Sequence, residues 1–276
     1  MMPTYSTQDI QQHTLPILLT IDSVLREHHL SYYISDGTML GAVRHGGFIP
    51  WDDDIDIAMP RPDYERFMAH GSEWLPAPLE MVCVEKDPLQ PCTFMKIIDG
   101  STTLIERWSY RQLGGIYIDV FPLDGVSEKK WRRTLRFRIY RTLNRLTYLR
   151  NRDPYKRGHG VSSWLPRLLQ ATVSNARLHK WMKGVQTAHS YESSTLVADY
   201  DSGERCVMPK SVFGTPQPIV FEGHELMGVE HPDEYLTHLY GDYMQLPPEE
   251  KRRVHGFDYV DLEHSYHDYH DTRQFR

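Results

Sequence analysis

Strict alternation of apolar and polar side chains marks two short stretches of the chain, and both carry aspartate on the polar side. From Asp54 to Met59, the residues Ile55, Ile57 and Met59 fall on one face of a half-buried strand and Asp54 and Asp56 on the other. From Ile116 to Phe121, Ile116, Ile118 and Val120 form one face, and Asp119 shares the other with Tyr117 and Phe121. Helical spacing governs the regions around them. Residues 6–29 read as a helix capped by Ser6 or Thr7, with Ile10, Ile17, Ile21 and Leu25 along one face and Pro16 expected to kink or restart it. Tyr33 and Ile34 end a short strand that turns at Asp36-Gly37-Thr38 into a helix bearing Met39, Leu40 and Val43. A further helix is expected over 63–75, burying Tyr64, Phe67 and Met68, and strands over 80–85, 94–98 and 102–107.

Pro122 to Gly125 reads as the end of this core. Ser127 then caps a long helix, residues 151–160 form a linker, and residues 164–185 a second helix. Strand character resumes at 194–200, a hairpin turns about Gly223-His224, and a helix over 233–240 stops at Gly241. The tail, with His264, His267 and His270, reads as a loosely packed terminus rather than a metal site. The order predicts an α/β protein with a mixed sheet flanked by helices. Its parts are a core over 1–126, a helical insertion over 127–192, a block over 193–257 that completes the core, and a tail over 258–276.

Composition narrows the class. The chain has 276 residues, 40% of them hydrophobic, enough for a sizeable core, and its 18 Gly and 18 Pro show no repeat. Cys83, Cys92 and Cys206 sit at no metal-finger or redox spacing, so reduced thiols and a cytoplasmic protein are expected. The richest early apolar run, Leu15 to Ile21, is too short to span a bilayer and contains Pro16. The net charge of −6 is unevenly spread. Residues 127–157 hold twelve Lys or Arg against two acids. That polarity suits peripheral contact with an anionic membrane, an anionic acceptor polymer, or a solvated face; without a binding motif, nucleic acid is not expected.

The chemistry lies in residues 33–61. At a strand-to-helix turn, backbone N–H groups and the helix dipole favour an anion, and Gly37 with Thr38 there suits a phosphate. Asp54 and Asp56 project side by side, and their repulsion is relieved by a cation; hard oxygens at this spacing suit Mg²⁺, with Mn²⁺ possible. Asp119 completes that metal set, or acts as a base, or accepts loop N–H bonds near Gly125. Trp51, in the Gly- and Pro-rich loop between turn and acidic strand, stacks on a base or seals the core edge.

Three ordered blocks, residues 35–67, Asp119 to Asp124, and Tyr235 to Arg252, resemble the LicD family of phosphocholine and alditol-phosphate transferases, related to fukutin, within the nucleotidyltransferase superfamily. The resemblance covers about two thirds of the chain, is thin from residue 127 to about 192 and is absent in the tail. It implies a nucleotidyltransferase-type core, Mg²⁺ on Asp54, Asp56 and Asp119, and a CDP-linked donor. Its phosphates would be steadied by Gly37, Thr38 and either Arg44 or Lys96. Phosphocholine from CDP-choline, or ribitol or glycerol phosphate from the CDP-alditol, would pass to a hydroxyl of a surface glycan, teichoic acid or lipid-linked precursor. A choline pocket requires aromatic faces. The rings available are Trp51, Tyr117 and Phe121 near the acids, with Trp108, Tyr240 and Tyr243 further off. The rivals are a metal-dependent glycosyltransferase, whose Asp-x-Asp also clamps a nucleotide diphosphate, and a non-catalytic binding subunit.

Overall fold

The computed structural model describes residues 5–87, 90, 92–107, 111–152, 154–155, 160, 163–252 and 257–270. The site is built on a seven-stranded sheet whose main path runs β1 (Tyr33–Ile34), β2 (Asp56–Pro60), β7 (Tyr117–Val126), β4 (Met95–Asp99), β3 (Leu79–Val82). The β2–β7 pair is parallel and the other pairs are antiparallel, so the sheet is mixed. Alternation explains why these strands sit at the centre. Ile57, Val120 and Met95 meet in one row of the register, and all three are fully buried. The next row belongs to the other face and is charged.

Helix α1 (Thr7–Glu27) packs on β7 and runs through Pro16 as one helix rather than restarting. Ser6 and Asp9 close a capping box at its start. Losing one hydrogen bond at a proline costs ~3 kcal/mol. Burial of Ile17, Leu18, Ile21 and Leu25 offsets that cost. Helix α2 (Asp36–His45) ends on Gly46 at φ 72°, and α3 (Arg61–Trp74) buries Tyr64, Phe67 and Met68 as the spacing predicts.

Several boundaries differ from expectation. The acidic strand begins at Asp56, so Asp54 lies in the loop that leads into it. Strand β7 does not end at Pro122 but continues to Val126. The register explains this: β4 pairs with β7 only as far as Val120, and β8 (Leu196–Ala198) takes over from Asp124. Proline falls between the two antiparallel partners, where a missing N–H is tolerated. Strand β8 pairs in turn with β9 (Met208–Pro209), which leads into the short α7 (Lys210–Phe213).

The inserted lobe has three helices, α4 (Lys130–Asn151), α5 (Trp164–Thr172) and α6 (Asn175–Gln186). Lys129 rather than Ser127 stands at the N-cap of α4. The expected second helix divides at Val173-Ser174, where the Ser174 hydroxyl accepts the Arg177 N–H and starts a new helix. A small separate core of Val126, Phe137, Tyr140, Met182, Ala198 and Tyr200 fastens the lobe to the end of β7 and to β8. Much of the expected linker, and Trp108, lie outside the described residues.

Strands β10 (Gln217–Phe221) and β11 (His224–Gly228) form the expected hairpin, and α8 (Pro232–Tyr240) stops at Gly241. The tail is not loose. Residues Phe257–Asp261 form β12, which joins β5 (Thr103–Arg107) and β6 (Arg111–Gly114) in a three-stranded sheet. Beyond it Ser265 donates to the Gly100 carbonyl, and Tyr266 and His267 both bond Glu80.

Candidate active site

The charged row of the sheet holds three of the residues singled out in the sequence. Asp56 pairs with Asp119 across β2–β7, and Asp119 pairs with Lys96 across β7–β4. Partners in register project to the same side, so the three side chains stand abreast. The Thr38 hydroxyl accepts the Asp56 N–H at 2.9 Å, which ties the first turn of α2 to the start of the acidic strand. Gly37 lets the Asp52 carboxylate come close to the same junction: a Cβ there would lie 2.6 Å from Asp52 Oδ2. Gln11 of α1 donates to the carbonyls of Ile49 and Asp52, and Glu222 accepts the Phe48 N–H. The loop before Asp54 is therefore pinned from two sides.

Electrostatics at this row is dominated by burial, to which crowding adds. Burial pushes the Asp56 carboxyl well above the usual range, and the charges of Asp54, Asp36, Asp119 and Asp52 push it further. Asp119 is raised to about 7 by burial, against the pull of Lys96. Asp36 is likewise raised to about 7 by burial and by the charge of Asp199. Its backbone takes φ 43°, uncommon for a side chain other than glycine, and its N–H is fixed on the Tyr235 hydroxyl at 3.0 Å.

Lys96 and Arg44 end up in different surroundings. The Lys96 ammonium is buried, 2.8 Å from Glu106 Oε1 and 3.2 Å from Asp119 Oδ1, and lies 3.3 Å from the centre of the Tyr117 ring. Reaching a phosphate would require it to leave a carboxylate. Arg44 instead lines an open cleft of about 650 Å³ with Trp51, Tyr240, Tyr243, Asp242 and Arg252. Its guanidinium donates to the Tyr243 carbonyl at 2.8 Å, and the Arg252 guanidinium lies 4.7 Å from the centre of the Trp51 ring. Tyr240 connects cleft and acids: its phenol is raised by burial and then by Asp36 and Asp56. Of the rings weighed in the sequence, Trp51, Tyr240 and Tyr243 share this cleft. Tyr117 is taken by Lys96, and Phe121 packs on Phe94 at 4.5 Å.

Among the described residues no three His, Cys, Asp or Glu side chains converge as a closed metal cage. Asp54 and Asp56 offer hard oxygens whose mutual repulsion a cation would relieve, a donor set that fits Mg²⁺ completed by substrate and water. Nothing local marks Glu106, Asp36 or Arg252 as part of the site; Glu106 reaches Lys96 from β5, in the other sheet.

The sequence profile described as "LicD/FKTN/FKRP, nucleotidyltransferase domain" matches residues 29–143. The lipopolysaccharide cholinephosphotransferase LicD of Haemophilus influenzae is 30% identical over 267 residues, 92% of this chain and 97% of that protein. The chain belongs to the LicD family. Shorter matches join it to two uncharacterized proteins, 48% identical over 44 residues in Rickettsia typhi and 50% over 40 residues in Rickettsia prowazekii, each covering about 15% of either chain. The LicD profile spans Gly37, Thr38, Asp54, Asp56, Lys96, Glu106 and Asp119 and enters α4. The cleft residues Tyr240, Tyr243 and Arg252 lie beyond it.

Proposed function

We propose that this LicD-family chain is a Mg²⁺-dependent phosphotransferase that moves phosphocholine from CDP-choline to a hydroxyl of a surface glycan, teichoic acid or lipid-linked precursor. The observation that carries the reading is the row Asp56–Asp119–Lys96 beside an aromatic cleft, in a chain related along nearly its whole length to a cholinephosphotransferase.

In this reading Asp54 and Asp56 would hold the metal, which offsets charge on the diphosphate and on the departing CMP. The α2 turn at Gly37-Thr38 and the Arg44 guanidinium face the phosphates. The acceptor oxygen attacks the phosphorus bearing choline, the bond to the bridging oxygen breaks, and CMP leaves. Asp119, raised to about 7, takes the acceptor proton. Lys96 holds Asp119 in place and Glu106 holds Lys96.

Trp51, Tyr240 and Tyr243 supply the faces that a trimethylammonium group needs, with Asp242 in the same cleft. Arg252 already places a cation on the Trp51 face. An alditol phosphate is the second reading, because Arg44, Arg252, Asp242 and Gln245 would also hydrogen-bond a polyol.

The test is release of CMP, followed with Mg²⁺ and a panel of CDP-choline, CDP-ribitol, CDP-glycerol and UDP-sugars. CDP-choline is the expected donor, and Asp54→Asn and Asp56→Asn each abolish turnover while keeping the fold. Near-normal activity in either variant removes the metal assignment. Turnover of CDP-ribitol that excess CDP-choline fails to slow assigns the alditol, and UDP release assigns a glycosyltransferase.

A further inference from the structure

The inserted lobe differs in kind from the rest of the surface. Helices α4, α5 and α6 carry twelve Lys or Arg and not one Asp or Glu. Solvated helices ordinarily mix both signs, because pairs of opposite charge three or four residues apart support them. Most of the large apolar side chains that stand exposed among the described residues also lie on these helices. They include a tryptophan on each: Trp131, Trp164 and Trp181, at 64%, 55% and 48% exposure.

Helix α4 shows how the two features combine. Its inward face is Phe137, Tyr140 and Thr147, and Arg133 and Arg150 also turn in, toward Glu204 and the Val173 carbonyl. On the outer side Trp131, Leu135 and Ile139 form an exposed stripe at i, i+4, i+8, flanked by exposed Lys130, Arg132, Arg138 and Arg145. A shallow groove of about 560 Å³ between Lys130 and Arg138 is floored by Trp131, Thr134 and Leu135. An apolar stripe would ordinarily turn to the core; here it faces out between cations. That is the pattern of a helix lying in the plane of a bilayer interface, its rings among acyl chains and its cations among phosphates. No described helix is long and apolar enough to cross a membrane. A second copy of the chain is a poor occupant, because two such faces would repel.

We propose that the outer face of α4, together with the exposed side chains of α5 and α6, docks on an anionic phospholipid bilayer. The groove at Lys130 and Arg138 takes a lipid phosphate while Trp131, Leu135 and Ile139 enter the interface. The inference goes beyond the transfer reaction and does not depend on which donor is used. Docking would place the catalytic row at the surface where a lipid-linked acceptor resides.

The experiment is co-sedimentation of the full chain with vesicles of phosphatidylcholine alone and of phosphatidylcholine mixed with phosphatidylglycerol, with tryptophan emission recorded on the same samples. Binding is expected only to the mixed vesicles, with a blue shift that Trp131→Phe diminishes. The triple change Arg132→Gln, Arg138→Gln, Arg145→Gln is expected to weaken binding by about a hundredfold at low ionic strength, an effect that shrinks as salt is added. Leu135→Ser with Ile139→Ser abolishes the shift at any salt. These positions are exposed, and circular dichroism checks that the variants remain folded. Failure of the parent protein to sediment at low salt overturns the proposal, as do variants that bind like the parent. Duplex DNA displacing the vesicles at equal phosphate concentration, or a dimer in solution that the same variants dissolve, overturns it in favour of a nucleic-acid or protein partner.

Discussion

Removing the Lys96 ammonium while keeping its bulk, as Lys96→Met does, isolates the buried charge network. Lys96 faces Glu106 at 2.8 Å and Asp119 at 3.2 Å, and the three side chains are 7%, 7% and 13% exposed. At an effective dielectric constant of about 20, each contact is worth ~5 kcal/mol of gross attraction, most of it cancelled by the cost of dehydrating the ions. Leaving carboxylates buried without their cation costs about 3–5 kcal/mol net. That predicts a fall in Tm on the order of 10 °C. The loss has a definite pH signature. Asp119 has a folded pKa of about 7, and Lys96 is what keeps it from rising further. Below about pH 7 Asp119 is protonated in both proteins, so the variant loses mainly the Glu106 contact. Above it the parent ionises Asp119 beside Lys96, whereas the variant must ionise it unaided. The gap in Tm therefore widens between about pH 6 and about pH 8.5. Adding Glu106→Gln to Lys96→Met restores stability at the lower pH, because the stranded carboxylate is gone. Calorimetry on the two variants at both pH values is the assay. A gap that is the same at both, or a double variant no more stable than the single one, would refute the assignment of a buried cation balancing two carboxylates.

Gly37→Ala places a methyl group 2.6 Å from Asp52 Oδ2 and obliges that carboxylate to rotate away from the α2 turn; donor turnover is expected to fall by about tenfold, while Tm changes little, and unchanged turnover shows that the close approach at Gly37 is not used. In the parent protein, Asp36, Asp119 and Asp201 all have folded pKa values of about 7, above the unfolded value of about 3.9, so their stabilising contribution is lost as pH rises between those values. Tm is thus expected to drop from about pH 5 to about pH 7, to level off above that, and to be raised by Mg²⁺ more at the upper end. A Tm that climbs with pH over this range contradicts the picture of crowded buried acids. Deleting residues 257–276 removes β12 and bares the β5 edge, so light scattering on heating is expected to begin several degrees earlier; an unchanged profile shows the strand to be dispensable.

What a local pattern encodes was legible from the chain alone. The period-two runs around Asp56 and Asp119 placed both carboxylates on one strand face, and the family blocks joined them to Gly37 and Thr38. What depended on contacts distant in sequence was hidden. The register that sets Asp119 between Asp56 and Lys96 comes from three strands far apart in the chain, and Glu106 belongs to a different sheet. Pro122 read as a stop because proline breaks pairing in most strands; here it occupies the interval between two partners. The tail gave no apolar alternation to read, since β12 is held at one edge by β5 and its side chains stay mostly half-buried. On α4 the arginine-rich composition was visible, but which arginines turn inward was not. Only packing separates Arg133, beside Glu204, from the exposed Arg132 and Arg138.

Strand β7 carries Asp119 near its start and Asp124 near its end, where the Arg61 guanidinium grips it through two bonds of 2.7 Å and 2.6 Å. Four residues past Val126 the first helix of the lobe begins. The strand is thus a short rod with Asp119 at one end and the lobe joined to the other, clamped to the core beside the joint. If the lobe docks on a membrane as proposed, the distance between that surface and the Asp119 carboxylate would be fixed by geometry, and the chain would act as a gauge, reaching acceptor hydroxyls at one height above the surface. A flexible spacer inserted between residues 127 and 129 would loosen the gauge. Turnover of a small soluble acceptor would survive it, while selectivity for acceptor groups at a set depth would be lost.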